Sequence, residues 1–86
     1  MHDELAREAR LLREATLALR NDRPQEALER IAMIGRSTAL AEPTAALRIE
    51  ALCAVGRKDE ARDEVTFFEQ TYPASPLRSR VRKTCR

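Results

Sequence analysis

Residues 22–27 read Asp-Arg-Pro-Gln-Glu-Ala, and residues 56–61 read Gly-Arg-Lys-Asp-Glu-Ala. The two stretches begin 34 residues apart, share an arginine in second place and end in Glu-Ala. Each stretch follows one segment of helical periodicity and opens another, so both are predicted to be turns between two helices. A self-match at this interval predicts two copies of a helix–turn–helix unit.

The helix before the first turn is predicted from apolar residues that recur at steps of three and four from Leu5 to Leu19. The second helix runs from about Pro24 to Ile34, and Gly35 is suited to cap its C-terminus. Residues 36–41 form a connector without clear periodicity. The first half of the chain is therefore predicted to be a pair of helices.

The second half repeats this layout. Pro43 falls in the first turn of a third helix that Gly56 ends, and the fourth helix begins near Lys58. Ser75 and Pro76 suit the cap and the first position of a short fifth helix, which extends to about residue 84.

The composition agrees with this assignment. The 86 residues are 43% hydrophobic and 35% charged, with two Gly and four Pro, and no apolar run approaches the roughly 20 residues that span a bilayer. The length fits one small domain over 1–86. We therefore expect a single all-α domain.

A 34-residue helix–turn–helix period resembles the tetratricopeptide repeat. In that family a small residue near the start of the second helix lets the two helices pack closely, and Ala27 and Ala61 match this position. Gly56 and Pro73 also match the family pattern, whereas Asp22 stands where the family has a glycine. The resemblance covers roughly residues 8–75.

This resemblance implies an α-solenoid of five helices. Repeat 1 would cover about residues 8–41, repeat 2 about 42–75, and a capping helix about 76–84. The capping helix would cover the second pair with Leu77 and Val81.

The resemblance further implies a non-catalytic interaction module or scaffold that binds a protein or peptide partner. Stacked helix pairs form a concave surface that suits an amphipathic helix or an extended peptide. The implied lining residues are Leu12, Thr16, Leu19, Arg20, Ala46, Glu50 and Cys53. Core packing is the alternative for Leu12 and Leu19.

Two other functions remain open at this stage. The basic end of the chain has no acid after residue 77, so Arg78, Arg82 and Lys83 could form a patch that binds nucleic acid. Alternatively, Leu5, Leu12 and Leu19 could form a short heptad seam for homo-oligomerisation. The lack of stacking aromatics on the basic segment argues against nucleic acid, and the seam spans only three heptads.

No catalytic, metal or cofactor site is expected. His2 is the only histidine, and none of Ser37, Ser75 and Ser79 has a histidine near it in sequence. The pairs of neighbouring acids suit helix N-termini, and no glycine-rich phosphate loop is present.

The two cysteines fit no CxxC motif, so Cys53 and Cys85 are either free thiols or one disulfide. Residues 67–77 resemble a segment of tetratricopeptide domains in bacterial cell-envelope proteins, which often end a longer membrane-attached chain. The expected location is the cytoplasm if the chain is complete, and the periplasm or cell envelope if it is a C-terminal fragment, with the second favoured.

Overall fold

A computed structural model describes residues 2–35 and 39–85. This part of the chain contains no strand and five helices, which confirms the predicted all-helical class. The helices are α1 (His2–Arg20), α2 (Pro24–Ala32), α3 (Ala41–Ala54), α4 (Lys58–Thr71) and α5 (Arg78–Lys83). None of the described helices combines the length and the apolar character that a bilayer-spanning segment needs.

The α1–α2 and α3–α4 turns have the same backbone geometry. Asp22 and Gly56 both adopt positive φ, at 60° and 85°. The amide of the next residue then bonds a carbonyl five residues back, which satisfies an otherwise unpaired group at the helix end. These bonds join Arg23 N to Ala18 O (2.8 Å) and Arg57 N to Leu52 O (2.9 Å).

Asp22 fills the glycine position because a short polar side chain tolerates the left-handed conformation better than most. The helix limits beside the two turns follow the same interval, since α1 ends at Arg20 and α3 at Ala54, and α2 begins at Pro24 and α4 at Lys58. The 34-residue self-match in the sequence therefore corresponds to a repeated local structure.

Two helices are shorter than predicted. α2 ends at Ala32, because Met33 and Ile34 bond carbonyls three residues back and tighten the chain before Gly35, which has φ of 87°. α5 begins two residues after Pro76, because the Ser75 hydroxyl accepts a bond from the Leu77 amide (3.1 Å) and holds a turn there.

Small residues bring the first three helices together. The first core cluster contains buried residues of α1, α2 and α3, with Leu12, Leu19 and Leu28 packed against it. Its buried members are Ala15, Ala18, Ala27, Ile31, Leu47 and Ala51. Because α3 contacts both α1 and α2, it joins the second pair of helices to the first.

The second core cluster joins α3, α4 and α5 through Ala46, Ile49, Phe68 and Val81. Phe68 and Ile49 are fully buried, and Val81 is 1% exposed. α3 is therefore buried on several sides, which explains why apolar residues occur around most of its circumference.

α5 is fastened by more than this apolar contact. The structure joins Cys85, which follows α5, to Cys53 of α3 in a disulfide with a Cα–Cα distance of 5.5 Å. Arg80 of α5 bonds Glu50 of α3 through its Nε (2.7 Å), and Arg82 bonds Glu69 of α4 through its Nε (2.7 Å). A helix of 6 residues, too short to be stable alone, is thus held by three kinds of contact.

Candidate functional site

A groove of about 220 Å³ lies between α1 and α3, with residues of the α5 region at its edge. It is lined by Leu12, Thr16, Arg20, Pro43, Ala46, Leu47, Glu50, Leu77 and Arg80. Five of the residues that the sequence assigned to a concave surface are among them. The groove is therefore the place where a docked segment would contact the largest number of predicted lining residues.

Two predicted lining residues lie elsewhere. Leu19 packs against the first core cluster, because its position on α1 turns it toward the helix pair. Cys53 packs against the second core cluster and is bonded to Cys85. Leu12 serves both roles, since it is half-buried against the core and also lines the groove.

The groove floor is mainly apolar. The Thr16 hydroxyl donates a hydrogen bond to the Leu12 carbonyl (2.8 Å), four residues back, so its donor is satisfied within α1. Ala46 is 5% exposed and forms part of the wall from α3. Burying apolar side chains of a partner against such a surface is favourable, at roughly 25 cal/mol per Å² removed from water.

One ion pair crosses the edge of the groove. Arg80 Nη2 lies 2.6 Å from Glu50 Oε1, and the Glu50 side chain is only 17% exposed. The pair links α5 to α3 and neutralises the only acid among the lining residues. The sequence did not identify Arg80 as a lining residue, because its place depends on how the cap lies across α3.

The apolar surface continues along α1 beyond the groove. A shallow depression of about 350 Å³ is lined by Leu12, Arg13, Thr16, Leu17 and Arg20. Leu17 is 55% exposed, so it adds an apolar side chain to this surface. The groove and this depression share three residues and together form one surface, here called the α1 strip and groove.

The predicted basic patch is largely engaged within the chain. Arg78 and Arg82 both contact Glu69 of α4, and Arg78 also donates to the Pro73 carbonyl (3.0 Å). The hydrogen bond from Arg82 lowers the pKa of the Glu69 carboxyl below its usual value. Lys83 is exposed. A phosphate group would have to compete with Glu69 for two of the three predicted cations, which argues against a nucleic-acid site here.

Two of the three leucines of the predicted heptad seam pack against the protein's own core. Leu5 is 47% exposed, whereas Leu12 and Leu19 are half-buried against the first core cluster. These leucines therefore do not present one continuous exposed face for a second helix.

A second groove of about 240 Å³ lies between α3 and α4. It is lined by Gly35, Ala41, Thr44, Ala45, Arg48, Glu64, Phe67, Thr71 and Tyr72. Phe67 is 49% exposed there, and the buried Thr44 hydroxyl has no hydrogen-bond partner among the residues that the structure describes. This surface is the main competitor of the α1 strip and groove.

Groups suited to metal binding are not brought together in the described residues. No three His, Cys, Asp or Glu side chains cluster in this part of the chain. The Ser75 hydroxyl accepts a backbone bond at a turn, which is a structural role. Ser37, part of the connector at 36–41 and the His2 side chain lie outside the described residues.

Comparison of the chain with models of protein families, with curated proteins and with solved structures found no match.

Proposed function

We propose that this chain is a tetratricopeptide-like interaction module that binds a peptide or a helix in the α1 strip and groove, without catalysis. Two helix–turn–helix repeats, about residues 8–41 and 42–75, would form the stack, and α5 would cap it. The cap would keep the apolar side of the second repeat out of water.

The observation that carries this proposal is the recurrence of local structure at 34 residues. Both turns place a residue with positive φ after the first helix, and the next amide bonds five residues back. Ala27 and Ala61 stand in the same place after these turns, and both are fully buried. One repeated unit stacked on itself accounts for these coincidences, and such stacks characteristically bind partners on a concave face.

The groove supports the binding part of the proposal. It combines an apolar floor with charged groups at its edge, which is the arrangement that recognises amphipathic segments. It also gathers lining residues from α1, α3 and the α5 region, so a docked segment would contact both repeats and the cap.

We also propose an oxidising compartment such as the bacterial cell envelope. Disulfides persist in the periplasm and outside the cell, whereas the cytosol keeps most thiols reduced. The Cys53–Cys85 disulfide supports this location.

Selection of binders from a displayed library of random 12-residue peptides tests the binding function. Selected peptides should bind the wild type in fluorescence polarisation. They should lose most of their affinity for a Thr16→Trp variant, because the indole fills the groove. Thr66→Trp is the matched control, since the Thr66 hydroxyl also bonds the carbonyl four residues back (3.2 Å) but lies exposed on α4.

A second variant guards against misfolding of the first. Leu17→Ser removes an exposed apolar group, so it should fold normally and still weaken binding, and Met33→Ser, at a residue that is 51% exposed, is its control. If no peptide is selected, or if selected peptides bind all four variants equally, the proposed function is wrong.

A further inference from the structure

Three of the four arginines of α1 differ from most arginines elsewhere in the described chain. Most described arginines lie within 4 Å of an acid, as in the pairs Arg23–Glu26, Arg30–Glu14, Arg57–Glu60 and Arg62–Asp59. Within residues 2–35 and 39–85, Arg10, Arg13 and Arg20 form no ion pair. These three arginines therefore have the capacity to pair with a group from outside the described chain.

The three arginines lie along one side of α1. Spacings of three and seven residues bring side chains to nearly the same face of an α-helix. Arg13 and Arg20 border the depression that Leu12, Thr16 and Leu17 complete. The positive charges thus flank the apolar part of the α1 strip and groove.

Three of the four acids of α1 are not available to balance these charges, and the fourth, Asp3, lies at the start of the helix, ten residues before Arg13. Glu14 pairs with Arg30 of α2, Glu4 pairs with Arg7, and Glu8 is buried. At the groove itself, Glu50 forms an ion pair with Arg80. The surface beside Leu12 and Leu17 is therefore apolar and positively charged, with no free carboxylate among its lining residues.

We infer that the segment bound by the α1 strip and groove is acidic as well as apolar, with carboxylates that pair with Arg13 and Arg20. Its apolar side chains would contact Leu12 and Leu17. Guanidinium groups form two parallel hydrogen bonds to a carboxylate, so this pairing gives both affinity and orientation. The inference rests on the proposed function and names the chemistry of the partner.

A peptide fits this surface better than a bilayer or a nucleic acid. Pro43 of α3, together with Leu77 and Arg80, walls the groove, so a flat membrane surface would not reach its floor. Nucleic-acid sites commonly use aromatic side chains that stack on bases, and leucines lie beside the arginines here. The shape and the side chains both favour a polypeptide.

The test repeats the peptide selection with charge-reversed protein. Peptides selected on the wild type should be enriched in Asp and Glu beside apolar residues. Peptides selected on an Arg13→Glu/Arg20→Glu variant should lack that enrichment, because acidic peptides then meet like charges. A Lys58→Glu/Arg62→Glu variant changes the net charge by the same amount on α4, and peptides selected on it should keep the acidic enrichment.

The affinity of one selected peptide then measures how much its carboxylates contribute to binding. Replacing its acids by Gln should weaken binding to the wild type by roughly tenfold or more, since a hydrogen bond to a charged group contributes about 1.5–3 kcal/mol. The same replacement should change little in binding to the Arg13→Glu/Arg20→Glu variant. Circular dichroism of each variant checks that it has folded.

The outcomes separate this inference from the proposed function. Peptides that Thr16→Trp blocks but that carry no acidic enrichment overturn the inference and leave the function standing. A library that yields no binder overturns the function, and the inference fails with it. Binding to vesicles of phosphatidylcholine and phosphatidylserine overturns the inference in favour of a membrane surface if it survives Thr16→Trp and disappears in Arg13→Glu/Arg20→Glu.

Discussion

At the scale of single residues, the two turns depend on one backbone conformation that most side chains avoid. Gly56 has φ of 85°, and a Cβ added there would meet no atom within 4 Å. Gly56→Ala should therefore cost about 1–2 kcal/mol through backbone strain alone. Gly56→Asp should cost less, because Asp22 adopts this conformation in the first turn. Equal stability of all three proteins in urea unfolding would contradict this account of the turn.

The two matched alanines stand where two helices pack closely and leave no room for a larger side chain. Ala27 and Ala61 are 0% exposed, so a larger side chain would force the helices apart. Ala27→Leu and Ala61→Leu should each destabilise the fold by about 1–3 kcal/mol. Ala32→Leu, on the exposed side of α2, is the matched control and should change the free energy of unfolding little. If the core variants are as stable as the control, close packing does not explain the two alanines.

At the scale of elements, α5 depends on its fastening to α3 and α4. The Cys53–Cys85 disulfide closes a loop with a sequence separation of 32. Cys53→Ser/Cys85→Ser should lower the free energy of unfolding by about 3 kcal/mol. Amide hydrogens of α5 should then exchange faster than those of α1. Protein purified without reductant should react with no thiol reagent until it is unfolded and reduced, and two reactive thiols in the native protein would contradict the disulfide.

The Glu69 contacts give α5 a dependence on pH. Because Arg82 lowers the folded-state pKa of Glu69 below the unfolded value of about 4.3, its stabilising effect is present above that pH. The effect is lost as pH falls through the lowered pKa. Between about pH 5 and pH 3, Glu69→Gln should therefore lose less stability than the wild type. Glu60, whose pKa Arg57 lowers, leaves a residual dependence in both proteins. If the free energy of unfolding falls with pH in parallel for the two proteins, the Glu69 contacts do not contribute to stability.

The sequence predicted helices better than it predicted their contacts. Periodicity and turn residues located the five helices, because local hydrogen bonding and apolar spacing decide these features. The early end of α2 and the late start of α5 escaped prediction, since Ser75 and Met33 act through turn bonds that have no periodic signal. Arg80 lines the groove although the sequence did not assign it there, and Leu19 packs against the core, which was the alternative to its predicted lining role. Both places depend on how separate helices lie together.

At the scale of the whole molecule, we propose that the helix pairs stack and leave a groove between α1 and α3 that a partner occupies. The two apolar clusters are joined by α3, so the groove wall is part of the folded core and is formed before any partner binds. A preformed surface avoids the entropic cost of ordering on binding. This arrangement predicts that the backbone of α3 changes little when a peptide is bound.

The most direct measurement is a map of amide chemical shifts when a selected peptide is added to isotope-labelled protein. The account predicts the largest changes at Leu12, Thr16, Arg20 and Glu50, with little change on the outer face of α4. Changes centred on Phe67 and Tyr72, in the groove between α3 and α4, would contradict it.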